Sequence, residues 1–204
     1  KNHPEVEGTM GQFDTSYGGT ITLIEDISDV EKLKFSESSK VAFVTQTTLS
    51  VDDTQELKDS LINKFPDIIG PKKDDICYAT QNRQDAVKQL ALESDLVIVI
   101  GSENSSNSNR LREIAERSGV KAYLIDSVGD LPAECLEGKK RIGLTSGASA
   151  PEHLVSEVID TLTKKYGFKL QGNRTRTDEG ISFRLPKGLR SVSYTHLTLP
   201  TTHC

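Results

Sequence analysis

The stretch VIVIGSENSSNSNRLREIAERSG, Val97 to Gly119, decides how the rest of the chain is read. Four apolar residues, Val97 to Ile100, run into Gly101 and then into seven polar residues, Ser102 to Ser108. An apolar run without alternation is the pattern of a strand covered on both faces. A helical pattern follows, in which Leu111, Ile114, Ala115 and Ser118 share one face and Gly119 fits the C-terminal stop. A buried strand that empties into serine and asparagine gives up packing and gains hydrogen-bond donors. The reading of the chain turns on what those donors bind.

The same style extends in both directions. GTITLIED and KVAFVTQ read as strands, DISDVEKL as a short helix, and DIIGP as the close of the first unit. SVDDTQELKDSLINKF reads as a helix, with Ser50 as N-cap and Asp53 three residues on as a variant capping box. TQNRQDAVKQLALES reads as a helix, and DLVIVIG, KAYLID and KRIGLT as strands. PEHLVSEVIDTLTKKYG is a helix with Pro151 at its first position and Leu154, Val155, Val158, Ile159 and Leu162 facing inward; GISFRLP is a last strand. Strands that alternate with helices predict an α/β fold with mainly parallel sheets. The polar, aperiodic run from Pro71 to Asp75 is the best boundary, giving two similar small lobes, residues 1–73 and 74–162, then a C-terminal segment, 163–190.

Composition sets the outer limits. The chain has 204 residues, long enough to bury a real core, and a formal net charge of -5, which argues against a general nucleic-acid-binding surface. No window is long and apolar enough for a membrane span, and no signal peptide is visible, so a cytoplasmic setting is expected. Cys77, Cys135 and Cys204 are too few and too scattered for a disulfide framework. The start at Lys1, inside a polar motif and without methionine, reads as that of a fragment. The tail SVSYTHLTLPTTHC, Ser191 to Cys204, follows LPKGLR abruptly and has no charged residue besides its histidines. It reads as a non-native addition and is left out of the fold, as is any metal-binding reading of His203 and Cys204.

One device recurs: a strand ends, a Ser/Thr-rich loop follows, and a helix begins. It occurs in VAFVTQTTLSVDD, VIVIGSENSSNSNR and RIGLTSGASAPEH. In open α/β sheets ligands bind beyond the carboxyl ends of strands, where helix N-termini offer free N–H groups and a positive dipole end. Such loops suit an anion, phosphate above all. Serine and asparagine are also ordinary capping and turn residues, so a single loop decides nothing; three at the same kind of junction favour a shared polyanion. Neither G-x-x-x-x-G-K-[ST] nor G-x-G-x-x-G occurs, and the loops carry no lysine or arginine before Arg110. The expected grip is one of neutral donors.

Two further places carry chemistry. In NHPEVEGTMG, His3 and Glu5 are two apart, and an extended backbone would point both to one side: an anion donor beside a proton-delivering carboxylate, or simply an exposed polar terminus. In KKDDICYATQNRQ, Cys77 stands just before a helix, either as a small buried hydrophobe or as a thiolate stabilised by the helix N-terminus and able to bind iron. Cys135 has no such setting and reads as structural.

Taken together, HPEVEGTMGQ, TQTTLSVDDT, DDICYATQNRQ, GSENSSNSNRL and GASAP resemble the 4-hydroxy-3-methylbut-2-enyl diphosphate reductases, the LytB-type iron–sulfur reductases that end the non-mevalonate isoprenoid pathway. The five motifs stand in the family's order from residue 3 to residue 151, and ISFRLPKGLR continues the likeness more weakly. The resemblance implies three α/β lobes around a central 4Fe–4S cluster, of which this chain would hold the second and third, the first being missing. Cys77 matches the third of three cluster ligands, the other two being expected upstream of Lys1 along with two diphosphate-binding histidines. Glu5 matches the proton donor, and Thr47 the hydroxyl that positions substrate and proton relay. His3, Ser105, Ser106, Asn107 and Ser149 match residues that hold the diphosphate. The implied reaction is a reductive dehydroxylation to isopentenyl and dimethylallyl diphosphate, with electrons from a ferredoxin or flavodoxin, and the piece alone is expected to be inactive. A non-redox enzyme acting on a phosphorylated ligand, or a module that only binds one, would use the same loops.

Overall fold

The computed structural model describes residues 2–36 and 39–171. The expected strand GISFRLP, the run ISFRLPKGLR and the tail Ser191 to Cys204 lie outside them. The residues up to Leu170 belong to one compact unit.

The apolar run around Ile98 forms strand β1, Leu96–Ile100, and all five of its side chains are 0% exposed. It is the centre of a three-stranded sheet, flanked by β2, Ala122–Ile125, and β3, Ile142–Ser146. Both pairings are parallel, with Ile98 opposite Tyr123 on one side and Leu144 on the other. Strand side chains alternate between faces, so β1 builds two cores at once. Leu96, Ile98 and Ile100 pack with Ile125, Val158 and Leu162 beneath helix α6, Glu152–Lys164. Val97 and Val99 pack with Val87 of α4, Tyr78–Leu92, and with Leu111, Ile114 and Ala115 of α5, Ser106–Arg117. Two covered faces explain why β1 reads as an unbroken apolar run.

The order of the strands positions everything else. The chain passes from β1 through α5 to β2, then crosses back to β3 on the other side of β1. The segments after β1 and β3 therefore leave the same end of the sheet side by side, and the helices they feed, α5 and α6, cover opposite faces. That is the geometry that opens a crevice at the carboxyl ends of strands. The parallel ladder runs one step past each strand: Gly101 N–H donates to Ile125 C=O at 2.9 Å and Gly147 N–H to Ile100 C=O at 2.8 Å. Ser108 lies wedged against both glycines, and a Cβ at either would strike its hydroxyl.

The first half is built of α1, Pro4–Gln12, α2, Ile27–Lys32, and α3, Val51–Lys64. Ser50 caps α3 as expected, its Oγ accepting the Asp53 N–H at 3.2 Å. The reciprocal arm of a capping box does not form, because the Asp53 carboxylate accepts from Arg117 of α5 at 2.8 and 3.0 Å. Pro151 is the cap of α6 rather than its first residue. Gly119 takes φ +85 after α5, the left-handed stop its position suggested.

The strands expected from GTITLIED and KVAFVTQ are not ladders. Among the described residues, 19–25 are irregular, and KVAFVTQ and DIIGP meet only in a single parallel bridge, Ala42 with Ile69. A strand exists by pairing its backbone groups with a neighbour. Here Phe43 N–H and Val41 C=O face Ile69, while the main-chain groups of Ala42 and Val44 have no partner among the described residues. Beside that open edge lies an apolar trough of about 790 Å³, lined by Ile21, Leu23, Val41, Phe43, Leu57 and Leu61 among others.

Two outcomes follow from this packing. Gly147→Ala meets only the Ser108 hydroxyl closely, the Ser108 Cβ standing at 3.5 Å, whereas Gly101→Ala also meets that Cβ at 2.9 Å. Each single change is expected to cost about 1–3 kcal/mol of stability by overpacking. Ser108→Ala should restore Gly147→Ala and leave Gly101→Ala unrescued in denaturant unfolding; equal rescue of both would contradict the wedge. At the start of β3, the main-chain N–H groups of Arg141 and Lys140 both donate to Asp95 and hold its carboxyl below the ordinary range. A lowered folded value means stability that is present above the ordinary carboxylate pKa and lost as pH falls through the folded one. Asp95→Asn should therefore lower the melting temperature near neutral pH, and the gap to the parent should close in acid; a gap independent of pH would count against the linkage.

Candidate functional site

The TQTT segment is tied to Glu5, Asp75 and Cys77 by hydrogen bonds. In the TQTT segment, Thr47 N–H donates to Glu5 Oε1 at 3.0 Å, and Thr47 C=O accepts the N–H of Cys77 at 3.0 Å. Asp75 Oδ2 accepts the N–H of Thr45 at 2.7 Å. The side chain of Gln84, 1% exposed on α4, accepts the Val51 N–H at 3.0 Å and donates to Leu49 C=O at 2.8 Å. A satisfied buried amide of this kind fixes a turn against a helix at both of its polar ends.

Helix α1 brings in the N-terminal motif. The expectation of an extended segment that points His3 and Glu5 one way is corrected: the chain is helical from Pro4. Proline suits the first turn of a helix because its missing N–H is one that the helix leaves unpaired anyway. His3 is the N-cap, and its Nδ1 accepts the N–H of Glu5 at 3.2 Å. Both side chains nonetheless reach the same cavity, His3 through its ring edge and Glu5 from the first turn. Gln46 spans the two, its Nε2 lying 2.9 Å from His3 Nδ1 and 3.5 Å from Glu5 Oε2.

The serine- and asparagine-rich stretch is only partly a loop. Ser105 is the N-cap of α5, and Ser106, Asn107 and Ser108 form its first turn. Ser105 Oγ accepts both the N–H of Ser108 at 3.2 Å and its hydroxyl at 3.1 Å. That leaves the Ser105 hydroxyl proton without a task in the cap. Ser106 Oγ lies 2.7 Å from His3 Nε2, which joins the α5 N-terminus to α1 across 103 residues. Asn107 is 6% exposed, yet neither its amide oxygen nor its amide nitrogen has a partner among the described residues. Such atoms are rare in folded proteins, since each costs about 1–3 kcal/mol when left unsatisfied.

His3, Glu5, Thr47, Cys77, Ser105, Ser106, Asn107 and Ser149, the site residues expected from the sequence, all line one cavity of about 440 Å³. Within its lining, His3 meets Ser106 and Thr47 meets Cys77. Among the described residues, no lysine or arginine lines it. Arg110, the first cation after the loop, is engaged elsewhere, 2.6 Å from Glu113 and 3.7 Å from Asp53. Three lining residues were not marked in advance: Thr48, Ala148 and Thr80. Thr80 follows Cys77 by three positions at the start of α4, a spacing that puts it one helical turn on and on the same side.

Cys77 is exposed at the N-cap of α4 and makes no capping bond with its side chain, so the small-buried-hydrophobe reading is corrected. Cys135 is buried in the core under α6, where burial pushes its thiol up and away from the reactive thiolate form. Among the described residues no group of three or more histidine, cysteine, aspartate or glutamate side chains is placed to hold a metal ion, and no helix is long and apolar enough to cross a membrane.

The chain resembles known proteins over most of its length. The family model described as LytB protein matches residues 1–163. The 4-hydroxy-3-methylbut-2-enyl diphosphate reductase of Saccharophagus degradans is 61% identical over 190 residues, covering 93% of this chain and 61% of the relative. The protein of the same name from Alcanivorax borkumensis is 61% identical over 188 residues, 92% of this chain and 60% of the relative. The solved structure of the E-1-hydroxy-2-methyl-but-2-enyl-4-diphosphate reductase from Plasmodium falciparum matches with a TM-score of 0.81 at 38% identity, over 92% of this chain and 58% of that one. The chain thus spans about three-fifths of the length of the curated relatives it matches. With the sheet, the loops at its carboxyl end and this breadth of similarity in agreement, the chain belongs to the LytB protein family.

Proposed function

We propose that this chain carries the diphosphate-binding wall and one cluster ligand of a 4-hydroxy-3-methylbut-2-enyl diphosphate reductase, the activity belonging to the whole protein of the family's length. The observation that carries the reading is Asn107. A buried amide with no partner at either end among the described residues, beside two serine hydroxyls at a helix N-terminus and lining the cavity, supports a ligand site there. A diphosphate suits it. Neutral donors aimed at an anion are each worth about 1.5–3 kcal/mol net, so Ser105, Ser106, Asn107 and Ser149, with His3, could hold the ligand without a cation.

The reaction replaces an allylic hydroxyl by hydrogen: two electrons and two protons enter, one water leaves, and isopentenyl or dimethylallyl diphosphate results. When bound, a 4Fe–4S cluster supplies electron transfer and Lewis acidity at the hydroxyl end of the substrate. Cys77, exposed on the cavity at the α4 N-cap, fits as one of its thiolate ligands. The described residues offer no further thiolate there, so the remaining ligands would come from the part of the family's length outside this chain. An external carrier of the ferredoxin or flavodoxin kind would deliver the electrons.

Glu5 would hold the proton. Its carboxylate is anchored on the Thr47 N–H and leans on Gln46, and it lines the cavity. Thr47, held through its main chain, would turn its hydroxyl toward the substrate's alcohol and pass the proton on.

In the full-length protein, Glu5→Gln is expected to lower turnover by on the order of 10²–10⁴, the usual worth of a positioned general acid, while pyrophosphate affinity stays within about threefold. Equal loss of both would show Glu5 to be a binding or structural group instead. Asn107→Ala should do the opposite, weakening pyrophosphate binding by on the order of tenfold in calorimetry. Cys77→Ala should abolish the iron–sulfur absorbance after anaerobic reconstitution; a retained cluster would show that Cys77 is not a ligand, and turnover without a cluster would favour a non-redox enzyme.

A further inference from the structure

The first half of the chain repeats the plan of the second. His3 caps α1 and Ser105 caps α5, 102 positions on; Ser50 caps α3 and Pro151 caps α6, 101 positions on. Between those caps, TITL at 20–23 stands where β2 stands, and VAFVT at 41–45 where β3 stands. At that spacing the counterpart of β1, the central strand, falls ahead of Lys1.

The place of that strand is a gap. In the second half β1 lies between β2 and β3 and packs on one face with residues of α5 and on the other with residues of α6. In the first half the apolar trough has the corresponding neighbours. Ile21 and Leu23 line it from the β2 counterpart, and Val41 and Phe43 from the β3 counterpart. Helix α1 adds Met10 and helix α3 adds Leu61.

The free backbone groups agree. Main-chain groups of a strand alternate sides residue by residue. Arg141 C=O accepts the Asp95 N–H at 2.8 Å and Gly147 N–H donates to Ile100 C=O at 2.8 Å, so Gly143 and Thr145 between them also face β1. Their counterparts, 101 positions earlier, are Ala42 and Val44. Those two have main-chain groups without a partner among the described residues, while Val41 and Phe43 bond Ile69 on the other side.

We infer that the trough is a docking slot for an extended apolar segment, and that its occupant is the stretch ahead of Lys1 in the full-length protein. The segment lies parallel to residues 41–45 and pairs with Ala42 and Val44. It is apolar at successive positions, as β1 is, because helices cover both of its faces. The ligand site depends on it. β1 leads through Gly101 to the cap of α5, and the docked strand leads in the same way to the cap of α1, which places His3 against Ser106. The existence of a longer parent rests on the proposed function; the slot rests on neither its ligand nor its cluster.

The full-length protein decides the occupant by amide–amide Overhauser contacts from Ala42 and Val44. Contacts to residues ahead of Lys1 are expected. Contacts to residues 20–24, to residues beyond 171 or to a second copy would each overturn the assignment. Hydrogen exchange at the same two amides should be slow, and faster by on the order of 100-fold in the chain that starts at Lys1, with Val97 and Val99 protected in both. Fast exchange in the full-length protein would sink the slot. Replacing the seven residues before Lys1 with glycine and serine should weaken inorganic pyrophosphate binding by about tenfold. In that background His3→Gln should add less than about twofold, since the strand acts through His3. Unchanged affinity, or losses that multiply, would overturn the link to His3. If the unaltered full-length protein does not bind pyrophosphate, the diphosphate reading falls, while the contacts and the exchange still decide the slot.

Discussion

Thr47 is held at both of its main-chain polar groups, and the site depends on that. Its N–H fastens the Glu5 carboxylate and its C=O fastens the N–H of Cys77. One residue thus sets the distance between the proposed acid and the proposed iron ligand. Neither partner is close to it in sequence, so local propensity cannot supply the spacing. The supports behind it are also polar: Asp75 on Thr45, and Gln84 on the turn that follows. A network of this kind is stiff when every member is satisfied and costly when one is removed. Substitutions at Gln84 would therefore be felt at the cavity although its side chain is almost wholly buried.

The other wall is set by the parallel pairing of β1 with β3. Because the strands run side by side and their helices go to opposite faces, the loops after them must part, and the opening between them is the cavity. Ser108 fills the root of that opening against Gly101 and Gly147. The missing side chains of those two glycines let α5 start close to the sheet end, which brings Ser105, Ser106 and Asn107 into line with His3. Packing and chemistry are joined there. The residue that plugs the crevice also completes the cap of the helix whose first turn faces the ligand.

Much of this was legible in the chain. Val97 to Ile100 is apolar at every position, and only a strand with both faces covered needs that. Ser50 and Ser105 announce helix starts by their chemistry, Gly119 a stop. Two of the three polar junctions meet because α/β geometry gathers the ends of β1 and β3 at one edge, whereas TQTT, which follows no sheet strand, is brought in by its bonds to Glu5 and Cys77. What could not be read was pairing at a distance. His3 looked like part of an extended segment, since a ring that caps a helix and reaches a serine 103 residues away leaves no local trace. Gln46 sat inside a quoted motif without a role, because its task is defined by two partners 43 and 41 residues distant. The strands of the first half were read from apolar content, which reports burial. It does not report whether a neighbouring strand is at hand to take the backbone bonds. Asp53 shows the same limit, as its carboxylate leaves the cap for an arginine on another helix.

The bare edge at Ala42 and Val44 has a bearing on handling. Val44 is 68% exposed, its peptide groups have no partner among the described residues, and an apolar trough runs alongside. Such a margin is a template for any extended segment that meets it, whether from a companion polypeptide or from a duplicate of itself. Lys40 at its head is the sort of charge that discourages such zippering, and a lone gatekeeper is a thin guard. A charge introduced at Val44 would blunt that margin against such pairing.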